Sequence, residues 1–252
     1  MFMFNLDDIH EFVEAASVIA TQAPTGVLKF SPQMFSIMAT ALPPSPRSVL
    51  ALQIRPQFFR SYTCTSQLEY AWIFLNDLQF TLSEMDCNGF PELLFSSTEP
   101  DCAHLTFRPP ASNYNYRLYK LPLCPGTGEM DMDQEFDCTT FVSIPSDFFN
   151  VVLNVFMDCF DYVLVTVTAS LARFCNDAGD IVLIAQENQC SIGGVSSEHQ
   201  IQFLISLSPW ASFRELARRA ERVWIYKPNT SSFGIIAAPV GLHSRFLAYV
   251  PA

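Results

Sequence analysis

The chain has 252 residues, 50% of them hydrophobic and 15% charged, with a formal net charge of −11. It can bury a sizeable core and is not a disordered chain, and its surface has no general attraction for nucleic acid, so any DNA contact must come from a local basic patch. No apolar run reaches the length of a membrane span, and the start, MFMFNLDDIHEF, has no basic region and no cleavable signal pattern, so an intracellular, reducing setting is expected.

In chain order, Asp7 to Ala20 places Ile9, Phe12, Val13, Ala16 and Ile19 at helical spacing, with Asp7 and Asp8 suited to the positive end of the dipole. Val27 to Phe30 and Met34 to Ala39 read as strands around the turn at Ser31-Pro32. After a proline-rich loop, Ser48 to Ile54 and Phe58 to Cys64 read as further strands. Gln67 to Leu82 carries Leu68, Trp72, Leu75, Leu78 and Leu82 on one side, which predicts a second helix. Leu93 to Ser97, Ala103 to Arg108 and Tyr114 to Leu121 follow as strands. Tyr119 to Phe136 holds prolines, glycines and a run of acids with little apolar periodicity, and reads as an exposed connector.

Beyond the connector the series begins again. Cys138 to Ile144 reads as a strand, and Pro145-Ser146-Asp147 opens a helix, with Ser146 as its cap and Phe149, Val152, Val155 and Phe156 on its buried side to about Phe160. Tyr162 to Thr168, Leu171 to Asn176, Asp180 to Ala185 and His199 to Ser206 are predicted strands. Ser208-Pro209 opens a fourth helix ending near Arg222, and Val223 to Lys227, Ser232 to Ala237 and Arg245 to Val250 close the chain as strands. The expected fold is α+β: two copies of one unit, 1–118 and 138–252, each with two helices packed on antiparallel sheets, joined by a connector at 119–137.

Motifs for catalysis and nucleotide binding are missing: no G-x-S-x-G, G-x-x-x-x-G-K, G-x-G-x-x-G or H-E-x-x-H occurs. His10, His104, His199 and His243 are far apart, and none stands at ligand spacing from a cysteine or carboxylate. The eight cysteines form no C-x-x-C pair and read as reduced, mostly buried thiols. Asp131, Asp133 and Glu135 lack the glycine and terminal glutamate of a calcium loop and read as solvated acids. A non-enzymatic protein without metal or cofactor is expected.

Two such units joined by a long acidic connector resemble the eukaryotic sliding clamps, PCNA and its checkpoint relatives. Leu28 to Met38 (LKFSPQMFSIM), Phe58-Phe59 followed by Tyr62, and the ending Phe246 to Ala252 (FLAYVPA) are similar to the Hus-type subunit of the nine-one-one checkpoint clamp. The resemblance implies a PCNA-like clamp fold in a nuclear, heterotrimeric ring. Such a ring encircles double-stranded DNA, is placed by a clamp loader and recruits repair or checkpoint proteins. It implies that the basic helix, through Arg214, Arg218 and Arg222 at i+4 spacing, faces DNA. It implies subunit edges at Tyr114, Tyr116 and Leu118 and at Ile181 and Leu183, and a partner groove at Met38, Leu121, Leu123, Ala248 and Tyr249. The other three predicted helices carry no Lys or Arg, which disfavours a homotrimer around DNA. A diverged replicative clamp and a clamp-fold interaction protein that does not bind DNA are the alternatives.

Overall fold

The structure, a computed structural model, describes residues 1–43, 45, 47–66, 68–99, 101–110, 115–125, 138–157 and 162–251. The chain is α+β, with antiparallel sheets and, among the described residues, four α-helices. It divides into two compact units. The first comprises Met1–Ala39, Ala51–Asp131 and Leu242–Ser244, and the second Thr40–Leu50, Met132–Gly241 and Arg245–Ala252. The 40–50 segment thus belongs to the second unit although it was expected in the first. Division by linear position cannot detect such an exchange, because long-range contacts decide it.

The first unit begins with a strand that the hydrophobic pattern did not predict, β1 (Phe2–Leu6), whose alternation puts Phe2, Phe4 and Leu6 inside. Helix α1 (His10–Ala20) follows; Asp8 Oδ1 accepts the His10 backbone N–H at 2.9 Å, and Phe12, Val13, Ala16 and Ile19 are buried. Strands β2 (Thr25–Ser31), β3 (Met34–Thr40) and β4 (Val49–Ile54) come next. A 3-10 turn at Pro56–Phe58 precedes the short β5 (Ser61–Cys64), so Phe58 to Cys64 is not one strand. Proline at the turn's first position presets its φ, and strand geometry resumes only after it.

The predicted second helix is wrong in its first half. Glu69–Phe74 is a strand, β6, paired with β2 from Thr25↔Phe74 to Phe30↔Glu69, and helix α2 is Leu75–Cys87. The stretch EYAWIF is aromatic and β-branched and buries Ala71 and Ile73 in alternation, so cross-strand packing overrides a helical spacing that Leu68 and Trp72 met by coincidence. Helix α2 ends at Asn88 and Gly89; Gly89 has φ +74°, a left-handed position that glycine adopts without Cβ strain. Strands β7 (Glu92–Glu99), β8 (Cys102–Arg108), β9 (Arg117–Pro122) and the two-residue β10 (Cys124–Pro125) complete the unit. One sheet runs β5-β1-β7-β8-β9; in another, β10, β6, β2 and β3 lie side by side in that order.

The core of this unit is aromatic. Phe2 stacks on Phe30 with centroids 4.1 Å apart, Phe4 on Phe95 at 5.0 Å, and Phe59 packs on Phe4 at 4.5 Å. Ring pairs of this kind contribute about 0.5–1.5 kcal/mol beyond the area they bury.

The second unit contains β11 (Cys138–Pro145), α3 (Ser146–Val155), β12 (Val163–Val167), β13 (Leu171–Asn176), β14 (Gly179–Ile184), the short β15 (Ser191–Gly193), β16 (Ile201–Ile205), α4 (Trp210–Arg219), β17 (Arg222–Pro228), β18 (Ile235–Val240) and β19 (Ser244–Tyr249). Strands β18, β17, β11 and β15 are neighbours in that order, and a separate sheet runs β14-β13-β12-β16. Ser146 is the first residue of α3 rather than its cap; its hydroxyl donates to the Ala220 carbonyl instead. Helix α3 ends at Val155, which is exposed, whereas Phe149, Val152 and Phe156 are buried as expected. Trp210 on α4 donates from Nε1 to Leu153 O at 3.1 Å, tying α4 to α3. The seven described cysteines are free thiols, but only Cys190 is buried, and Cys87 and Cys124 are exposed.

Phe4 contacts Phe2, Phe12, Phe35, Phe59 and Phe95, so Phe4→Ala empties the centre of that cluster. Denaturant unfolding is expected to show a loss of about 3–5 kcal/mol at an unchanged m-value.

Candidate functional site

Among the strands that end a sheet with no further pairing among the described residues are β9 in the first unit and β14 in the second. Each presents a row of backbone donors and acceptors, the arrangement a strand from another chain can extend. Strand β9 pairs only with β8, in a register from Cys102↔Pro122 to Phe107↔Arg117. Leu121 faces the core, while Leu118 is 56% and Tyr116 66% exposed. Tyr114, also expected at this edge, lies outside the described residues. Helix α2 lies beside β9 and carries Phe80, which is 70% exposed. Phe80, Thr81, Leu105, Tyr119 and Pro122 line a cavity of about 310 Å³ between helix and strand.

Strand β14 pairs only with β13. Here the expected contact residues must be corrected. Ile181 and Leu183 lie opposite the buried Phe174 and Ala172, on the inner face; Leu183 is buried and Ile181 half-buried. Two residues apart on a strand means the same face, so Val182 is the one that points out, and it is exposed. Beside Val182 on the outer face, Arg173 forks onto Asp180, with Nε 2.9 Å from Oδ1 and an Nη 2.5 Å from Oδ2, which lowers the Asp180 carboxyl below its ordinary range. On the inner side stands α3: a Cβ at Gly179 would lie 2.6 Å from Val155 Cγ1, so the glycine leaves room for that side chain against the strand. Val151, Val155 and Met157 are exposed there. Both edges therefore share one design, an open strand with an apolar helix surface on its inner side and an apolar residue on its outer side. Of these exposed residues, Val155 was expected in the core because it stands at helical spacing, and Phe80, Val151 and Met157 carried no expectation.

The basic helix is shorter than expected. Helix α4 stops at Arg219 because Ala220 is extended (φ −103°, ψ 140°), and Arg222 begins β17. Its guanidinium donates from Nε to Ser143 Oγ at 2.8 Å and from Nη2 to Ser143 O at 3.0 Å, which secures β17 to β11. Arg222 is thus withdrawn from the expected DNA-facing set. Arg214 and Arg218 remain exposed on α4; Arg214 stacks over Trp210 at 4.9 Å, and Arg218 bonds Glu215 at 2.6 Å. Helices α1, α2 and α3 carry no Lys or Arg.

The expected partner groove is corrected as well. Met38, Leu121, Leu123 and Ala248 are buried, and Tyr249 is half-buried against Ile235, Ala237 and Leu247. Alternation along the strands turns these side chains into the core. Of the five, Leu123 borders a cavity of about 460 Å³ in the first unit, lined also by Phe30, Leu68, Tyr70 and Glu99, and Leu121 borders the 310 Å³ cavity beside β9. Glu99, Asp101 and Cys102 bring their ligand atoms within 4.8 Å of one another. The Cys102 thiol donates to Glu99 at 3.2 Å, and that bond raises its pKa and keeps it a thiol, a poor metal ligand. The Asp131, Asp133 and Glu135 run lies outside the described residues. No model of a known protein family matches the chain, and no curated protein matches it.

Removing Arg222 strips hydrogen bonds from a partly buried strand pair, whereas Arg214 is exposed. Chemical denaturation is expected to show a loss of about 1–3 kcal/mol for Arg222→Ala and under about 1 kcal/mol for Arg214→Ala.

Proposed function

We propose that the chain is a non-enzymatic subunit of a ring-shaped DNA clamp of the checkpoint type, working in the nucleus with other clamp subunits around double-stranded DNA. What supports the reading is the match between the two units. The first runs β1-α1-β2-β3-β4-β5-β6-α2-β7-β8-β9, and the second runs β11-α3-β12-β13-β14-β15-β16-α4-β17-β18-β19. The pairings match too: β5-β1-β7-β8 corresponds to β15-β11-β17-β18, and β6-β2-β3 to β16-β12-β13. A duplicated unit with one open, apolar-flanked edge at β9 and another at β14 is suited to head-to-tail closure, which covers both of these edges. Three helices without Lys or Arg make a ring of identical copies a poor host for phosphate, so the neighbours supply basic surface, and Arg214 and Arg218 are this chain's contribution. A clamp loader and docked repair or checkpoint proteins complete the proposal. The same scarcity of basic residues favours a second reading, a clamp-fold interaction protein that never holds DNA.

Native sedimentation of the isolated chain is expected to show no stable trimer at micromolar concentration; tight three-fold self-assembly would favour a replicative clamp. Within a mixed ring, Val182→Asp is expected to break assembly with a stability change within about 0.5 kcal/mol, while Leu183→Asp unfolds the subunit by about 3 kcal/mol or more. Normal assembly of a folded Val182→Asp ring removes β14 as an interface.

DNA affinity of the mixed ring, measured across a salt series, tests the basic helix. The Arg214→Ala/Arg218→Ala pair is expected to lower the salt slope by up to about two units, one for each phosphate no longer neutralised. An unchanged slope with the ring intact favours the reading without DNA.

A further inference from the structure

Helix α2 ends with its dipole uncompensated. Its last turns carry Glu84 and Asp86, and no basic residue of α2 lies in the last turn. The cation that can offset this comes from another helix. His10, the first residue of α1, places Nδ1 3.0 Å from Asp86 Oδ2, and its Nε2 lies 3.8 Å from Glu14 Oε1 one turn along α1. Asp8, in the turn before α1, accepts the His10 backbone N–H and adds a third carboxylate.

A neutral imidazole has one N–H. If Nδ1 donates to Asp86, Nε2 is left with a lone pair 3.8 Å from the Glu14 carboxylate, which repels it. If Nε2 carries the proton, Asp86 loses its donor. Only the imidazolium serves both carboxylates at once. We propose that His10 is a proton-operated latch between α1 and α2: charged, it holds the last turn of α2 against α1, and on losing its proton it releases that turn. The latch stands on these contacts and does not depend on the clamp reading.

The Asp86 hydrogen bond and charge, then the charges of Glu14 and Asp8, raise the His10 pKa above its ordinary 6.5, outweighing the slight desolvation that opposes them. For a cation with a raised folded-state pKa, the added stability is complete below the unfolded value and disappears as the pH rises through the folded one. The positive end of the α1 dipole opposes the charge at this position, and Glu11 in the same turn offsets it.

The test uses the full-length chain. NMR titration of the imidazoles, with His10→Gln identifying the His10 signal, is expected to place its midpoint above that of an ordinary histidine, and Asp86→Asn should bring it down. Hydrogen exchange of amides 84–90, corrected for intrinsic rates, should speed up several-fold as the pH passes the His10 midpoint, and lose that dependence in both His10→Gln and Asp86→Asn. A His10 midpoint unmoved by Asp86→Asn, or exchange at 84–90 that ignores the His10 titration, overturns the proposal.

Discussion

The feature on which the reading of this protein depends is the row of backbone groups along an edge strand. A buried N–H or C=O without a partner costs about 1–3 kcal/mol, so a sheet must end where water or another strand reaches it. At β9 and β14 the sheets end on strands whose flanks are apolar: Tyr116, Leu118 and Phe80 at one, Val151, Val155, Met157 and Val182 at the other. Water satisfies the edge amides but gains nothing from the side chains beside them. A strand from another chain satisfies both. The shape of each edge thus carries a functional argument that no single residue carries.

Inside the units, two kinds of packing hold these edges in place. The first unit relies on phenylalanine rings from β1, β2, β3 and β7, in stacked and edge-on pairs. The second is built more from Val, Ile and Leu on β11, β12, β16 and β17, with Phe149, Phe156 and Phe174 fully buried among them. β-Branched residues suit a pleated surface, and rings fill the wider space where a helix covers it. In both units the helices lie on the inner side of the open strand. Their outward apolar residues therefore belong to the edge rather than to the core.

Charge separates the two helix pairs. Helices α1 and α2 carry Glu11, Glu14, Asp77, Glu84 and Asp86, whereas α4 carries three arginines. Exposed ion pairs such as Arg218–Glu215 add little to stability, so this distribution bears on what approaches the surface rather than on folding.

Much of this was legible in the amino-acid order. Short apolar runs between turn residues marked most strands, period 3.6 marked α1 and α3, Ser208-Pro209 marked the start of α4, and no apolar run is long enough for a membrane-spanning helix. These are local properties: which residues share a face depends only on the backbone period, and burial follows from it. What the order could not settle depended on partners far along the chain. Pairing with β2 made Glu69–Phe74 a strand despite its helical spacing. Ser143, 79 residues away, holds Arg222 and takes it off the basic face. The β13 register turned Leu183 inward and left Val182 outside. Asp86, 76 residues from His10, made a lone histidine one member of a charged cluster. Each of these outcomes turns on a register or a contact between distant segments. A local hydrophobic pattern tolerates several such registers, and only the packing of the whole unit selects one.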